Sequence, residues 1–334
     1  MAKRHREGTT PSGLNSFPTR AAVEKWRRST ILLGVNMIAF GYNEVGLSVG
    51  QQCSSCTIYL DHWAWRKISV TEPVANRFSA ALKRRNGTIA LSWLNVAEFS
   101  QLTGKYSWQA RNADALLKRI LPHVFIINPD FFKVIDEENL LLAGGAPSAP
   151  HADKVFLKAF VKSNLQQGPG LELLSEQNIF QLGLTSGIAT KYDRFGDVVA
   201  GRIDSLRKDY ENNAEFRRVV DRIPRGAQIQ RGTRFIAREL LRSFCDYKQM
   251  KVTRQHAIDV CHAVVPIAYC DYVLLDAHWK TQARRAQERI TKGSVSFPIA
   301  KVFSENEMEG FLQELESAPE RVSSAQSHIF GSPD

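Results

Sequence analysis

Five carboxylates fall where short apolar runs meet helical stretches. Asp61 closes the run Thr57-Ile58-Tyr59-Leu60, and Asp276 closes Tyr272-Val273-Leu274-Leu275. Glu98 lies six residues beyond Ser92, in a stretch of helical pattern that directly follows Thr88 to Ser92. Asp259 falls on the helix ahead of the Tyr272 strand, and Asp271 opens that strand. Unpaired carboxylates brought together repel, and they protonate or scatter unless a cation sits among them. Hard oxygen donors suit Mg²⁺ or Mn²⁺. Such a cation lowers the pKa of bound water and neutralises charge building on a phosphorane-like transition state, so the chemistry within reach is phosphodiester hydrolysis. Asp61, Glu98, Asp259 and Asp276 are the candidate catalytic residues, and these four with Asp271 the candidate metal ligands. Simpler roles compete: Asp61 as the N-cap of a following helix, Glu98 as a solvated helix residue, Asp271 as a strand cap or the partner of an arginine.

Those residues need elements to hold them. Thr57 to Leu60, Thr88 to Ser92, Val124 to Asn128, Asp271 to Asp276 and Ala300 to Phe303 read as strands, β-branched, aromatic or nearly all apolar. Helical spacing recurs at Val74 to Arg85 (stopped by Asn86-Gly87), Trp93 to Phe99, Ala110 to Ile120, Arg254 to Tyr269, His278 to Ile290 and Glu307 to Leu315. Pro266 marks a kink or the end of its helix. Strand and helix alternate, which predicts an α/β fold with a central parallel sheet, and in such sheets ligands sit beyond the carboxyl ends of the strands. Residues 57–144 and 239–318 are the two halves of this unit. Between them, 145–238 reads as a helical insertion, with helices at His151 to Asn164, Ile188 to Asn212 and Ala214 to Val220. Residues 1–56 read as a basic extension holding a short helix, Arg20 to Arg28, and an ambiguous apolar run. Residues 319–334 are a polar tail.

The ordered set resembles the PIN-domain nucleases. The residues that carry the resemblance are Tyr59-Leu60-Asp61-His62-Trp63, the Ser92 to Glu98 segment, Asp259-Val260-Cys261-His262 and Tyr272 to Asp276. The resemblance spans 57–140 and 240–318 and implies a PIN-like three-layer α/β/α sandwich. It further implies acids that bind Mg²⁺ or Mn²⁺ for endonucleolytic cleavage, of RNA in preference to DNA, as in a toxin or defence effector. A catalytically silent module that binds RNA or a protein is the alternative, and a helical interaction protein built on the insertion is a third. Three features depart from the family pattern: His62 stands at a small polar position, Leu275 replaces a hydroxyl residue, and the stretch between Glu98 and Asp259 is long. His262 fits packing or support of the ligands better than ligation, because oxygen sites rarely need imidazole. Trp63 and Trp65 fit core or cleft wall better than stacking on bases.

Charge points the same way. The chain of 334 residues has 44 Lys and Arg against 34 Asp and Glu, a net +10 that favours a polyanionic partner. From Arg202 to Arg254 there are fourteen basic residues against seven acidic ones. Arg284, Arg285 and Arg289 follow Asp276 on one helix and are the candidate phosphate rail. With 43% hydrophobic and 23% charged residues, the composition excludes a wholly disordered chain and a coiled-coil rod. Five scattered cysteines suit a reducing, cytoplasmic setting better than a disulfide scaffold. Cys53-Ser-Ser-Cys56 has zinc-knuckle spacing but no second pair to complete it. Asn36, Asn43 and Glu44 interrupt the one apolar run, so no membrane is expected. An inhibitor protein and a second copy of the chain stay open as partners.

Overall fold

The computed structural model describes residues 38–43, 46–54, 56–144, 149–165, 178–183, 187–223, 232–246, 251–293 and 297–317. The expected Arg20 to Arg28 helix and the polar tail lie outside them. The first described element is a hairpin, β1 (Ile38–Asn43) and β2 (Gly46–Gln51), paired antiparallel. Thereafter strands and helices alternate. β3 (Thr57–Leu60) leads into α1 (His62–Val70) and α2 (Glu72–Arg84). β4 (Thr88–Leu91) leads into α3 (Trp93–Ser100) and α4 (Ser107–Ile120), and β5 (Val124–Ile126) into α5 (Phe131–Leu142). Among the described residues the helices α6 (Lys154–Leu165), α7 (Ile179–Leu182), α8 (Ile188–Asn212), α9 (Ala214–Asp221) and α10 (Gly232–Asp246) follow. The α/β pattern resumes with α11 (Arg254–Tyr269), β6 (Tyr272–Leu274), α12 (Ala277–Lys292), β7 (Lys301–Phe303) and α13 (Met308–Ser317).

Strands β3 to β7 form one all-parallel sheet in the order β5-β4-β3-β6-β7. Every residue of β3, β4 and β5 is buried, which explains their nearly unbroken apolar sequences: a strand covered on both faces has no polar side to show. The chain builds outward from β3 to β5, then returns to place β6 on the other side of β3. The order therefore reverses between β3 and β6, and the loops leaving those two strands diverge there to open a crevice. The hairpin has its own use at the sheet's edge. The Gln51 side chain donates to the Ile126 carbonyl at 2.9 Å and accepts from the Ile126 N–H at 2.8 Å, so one amide replaces a missing neighbour on edge strand β5.

Described helices of the stretch 145–238 contribute to the sheet's own core. Phe156, Phe180, Ile203 and Phe235 are buried in the same apolar cluster as the sheet residues Ile58, Ile89 and Val273. α8 and α10 both pack on α11, the helix that precedes β6. At the α8–α11 crossing Gly196 makes close approach feasible, since a Cβ there would lie 2.5 Å from Arg254 Cγ. The Arg254 guanidinium then reaches Asp193 at 2.6 Å and Asp197 at 2.9 and 2.8 Å on α8. Among the described residues no helix is long and apolar enough to cross a membrane. Pro266 lies inside α11, and Pro266 O accepts the Cys270 N–H that ends it.

Candidate active site

Asp61 is the residue after β3, and its backbone still belongs to the sheet: its N–H donates to Leu274 O at 3.1 Å. The same residue caps α1, its Oδ1 accepting the His62 N–H at 2.7 Å. The capping role and a place at the crevice are compatible, because Oδ1, which caps the helix, also lies toward His262. Glu98 reaches the crevice from α3. That helix starts at a capping box in which Ser92 and Asn95 satisfy one another's backbone N–H groups, and Asn95 Nδ2 ties the cap to Leu60 O at 3.2 Å. Glu98 lies one turn beyond Asn95, so the cap orients it relative to β3.

His262, from α11, completes the centre. Its Nε2 lies 3.2 Å from Glu98 Oε1 and its Nδ1 3.8 Å from Asp61 Oδ1. Donor atoms of Asp61, Glu98 and His262 all lie within 4.8 Å of one another. The imidazole is buried and held by the Tyr59 hydroxyl, 2.5 Å from Nδ1, and that hydroxyl also contacts Ser92 Oγ at 3.3 Å. Tyr192 on α8 donates its hydroxyl to Glu98 Oε1 at 3.3 Å. Glu98 Oε2, by contrast, is buried with no hydrogen-bond partner. A buried orphan carboxylate oxygen is costly, and a cation or water would satisfy it. The cluster of Asp61, Glu98 and His262 could thus hold a metal ion, with the unsatisfied Glu98 oxygen as a ligand.

The electrostatics follow from burying like charges around one base. Burial pushes the Asp61 carboxyl up to about 7, helped by Glu98 and Asp259 and opposed by His262 and the His62 N–H. Burial would lower His262, but Glu98, Asp61 and Asp259 overcome it and raise the imidazole to about 9. Glu98 is desolvated too, yet His262, His62 and the Tyr192 hydroxyl hold it below the ordinary carboxylate range. His262 is thus the internal counter-charge of the centre. His62, whose ring stands edge-on to Phe99 at 4.5 Å, is held below the ordinary histidine range by burial.

The other sequence candidates sort by position. Asp259 lies one turn before His262 on α11, bonded by Gln255 Nε2 at 2.7 Å, and burial and the nearby Asp276 and Glu98 raise its pKa. Asp276 caps α12 through the Trp279 N–H at 3.0 Å and is exposed at the crevice rim. These two acids neighbour the centre without joining its innermost cluster. Asp271 must be removed from the ligand set. It sits at the amino end of β6, where its Oδ2 accepts the Thr57 N–H at 2.8 Å, so the length of the strands separates it from Asp61. The arginines of the candidate phosphate rail lie along α12. α12 runs away from Asp276 at about 1.5 Å per residue. Arg289, thirteen residues on, pairs with the buried Glu239 at 2.5 Å and donates to the carbonyls of Asp221 and Arg222. Arg284 faces solvent beside Glu288, and Arg285 is exposed.

Sequence reasoning assigned His262 to packing or to support of the ligands, and its i, i+3 spacing from Asp259 puts both on one helix face. Tyr59 carried a similar signal, since it precedes Asp61 by two residues and so shares its side of the strand. Tyr192 carried none. Cys53, Cys245, Cys261 and Cys270 are free thiols. Trp65 is fully buried against Phe180, and Trp63 is partly buried against the core. Compared with protein-family models, curated proteins and solved structures, the chain matches none.

Proposed function

We propose that this protein is a PIN-like, divalent-metal-dependent endonuclease that hydrolyses phosphodiester bonds in RNA. The observation that carries the reading is the convergence of Asp61, Glu98 and His262 at the point where the strand order reverses, with one Glu98 oxygen unsatisfied. Asp61 and Glu98 would hold Mg²⁺ or Mn²⁺, with Asp259 and Asp276 near enough to bind through water or to hold a second ion. The ion supplies an activated water and offsets charge on the transition state. Tyr59 and Ser92 fix the His262 ring, Tyr192 steadies Glu98, and the net +10 of the chain favours a polyanionic substrate. Choice of RNA over DNA, and a toxin or defence role, rest on the sequence resemblance alone.

One observation favours the silent alternative. A protonated His262 already neutralises part of the cluster, so the acids can persist without a metal. The two readings separate in one experiment, incubation of single-stranded RNA with the wild type and Asp61→Asn, with Mn²⁺ or with chelator. The nuclease reading expects metal-dependent cleavage that falls by about 10²-fold or more in the variant. Retained RNA binding without metal-dependent cleavage in the wild type would establish the silent module.

A further inference from the structure

A cavity of about 900 Å³ lies between α5, α8, α9 and α10, away from the crevice. Its size falls within the roughly 300–1,000 Å³ of small-molecule sites. The walls are apolar, with Phe131, Phe132 and Ile135 on one side and Leu206, Val220 and Leu241 on others. Ser205 and Cys245 are the only uncharged side chains with a polar atom, and burial pushes the Cys245 thiol up to about 11, so it stays neutral.

Four arginines share the lining: Arg202, Arg234, Arg238 and Arg242. Two of them are laid against wall aromatics, Arg202 with its guanidinium 3.8 Å from the centre of the Phe132 ring and Arg238 5.1 Å from that of Phe235. Acid partners do not balance this charge. Glu239 serves both Arg238 and Arg289, and Asp221 lies 3.7 Å from Arg242. Arg202 and Arg234 are exposed and pair with no acid among the described residues. Arg242 Nη1 is buried without a hydrogen-bond partner. An apolar interior with surplus guanidinium at its rim is complementary to a molecule with an apolar body and an anionic end. A nucleotide fits poorly, because base edges would meet apolar walls where they need hydrogen-bond partners.

We infer that this cavity binds a single-chain amphiphile with an anionic head, a long-chain carboxylate or an alkyl phosphate, its tail among the aromatics of α5 and α10 and its head between Arg202 and Arg234. The site is independent of the proposed nuclease chemistry.

The test is titration of the full chain with palmitate, dodecyl phosphate and uncharged hexadecanol, read by displacement of a fluorescent fatty acid and by thermal shift. Saturable binding of one anionic amphiphile per chain is expected, with hexadecanol about ten-fold weaker or more, the loss of one charge-assisted contact. The better of the two anions identifies the head group. Exposed-residue variant Arg202→Gln/Arg234→Gln should weaken the anions by a similar factor and leave hexadecanol unchanged. Leu206→Trp should fill the cavity and weaken all three. Asp61→Asn should bind like the wild type, which separates this site from the crevice. No saturable binding to the wild type, equal affinity for hexadecanol, or an unchanged affinity in the double arginine variant would each overturn the proposal.

Discussion

His262 sits between two carboxylates, and the protons of that group carry the most direct consequence. The folded protein holds Asp61 at about 7 and His262 at about 9, each above its ordinary value. The folded state therefore binds more protons than the unfolded chain, from about pH 4 to 7 through Asp61 and from about 6.5 to 9 through His262. Where the folded state holds the extra proton, stability falls as pH rises. Without metal, these two groups should lower stability progressively toward pH 9, as read by urea unfolding in chelator. Glu98, held low, acts oppositely and loses its contribution only as pH drops through the acid range. His262→Gln should flatten the limb between 6.5 and 9. If the centre takes a divalent ion, affinity should instead grow with pH, since the ligands must shed protons to bind it. Parallel pH profiles for wild type and His262→Gln would show that the histidine is not the counter-charge.

At the scale of elements, the same side chains hold helices as well as the crevice, and the two roles can be separated. Asp276 caps the sixteen-residue α12. Asp276→Ala should cost about 1 kcal/mol of stability, whereas Asp276→Asn keeps a capping oxygen and should cost a few tenths. Both should lose metal-dependent cleavage if the charge matters, so activity and stability part company in the Asn variant. Further along α12, Arg289→Ala leaves buried Glu239 with Arg238 alone. A loss of about 1–3 kcal/mol is expected by chemical denaturation, with RNA affinity and its salt dependence unchanged. Arg285→Ala, on an exposed position, should stay within about 0.5 kcal/mol. A flattened salt slope in either variant would establish the helix as a phosphate rail.

For the whole molecule, the sheet and most of the described helices share one apolar core, and α6, α7, α8 and α10 are part of it. Phe180 on α7 is fully buried, its ring tilted against those of Trp65 at 5.2 Å and Phe99 at 4.8 Å, and its N–H donates to Asp114 at 2.8 Å. Phe180→Ala should destabilise the chain by about 3–5 kcal/mol, the range for emptying a packed aromatic site. A chain lacking 145–238 should fail to unfold cooperatively, because α11 would lose α8 and the first half of α10, and Glu98 would lose Tyr192. A deletion variant that melts like the wild type would show that these helices are an appendage.

The strands of the central sheet, the capped helices and the positions of Asp61, Glu98 and Asp276 were legible because each depends on local chemistry. A buried parallel strand must be apolar throughout, and a carboxylate at its end is both a cap and an edge residue. The hairpin at 38–51, α1 and α5 were not legible. A run broken by Asn36 and Asn43 carries neither strand nor helix period clearly, and Asp61 to Val70 follows its strand without a separating turn signal. Phe131 to Leu142 does have one, Asn128-Pro129-Asp130 with Asp130 as N-cap, but its closing Leu140-Leu141-Leu142 run blurs the helical period. The sequence determined by itself that an α/β sheet would bring acids from distant segments to its carboxyl edge. Only the tertiary structure decided which acids share a centre. Asp271 and Asp276 are five residues apart, yet a short strand sends them to opposite edges of the sheet. His262, 164 residues from Glu98, meets it at 3.2 Å because α11 packs across the same crevice. Proximity along the chain sets local conformation, but electrostatic reach is a distance through space, and that distance is fixed by strand order and helix packing.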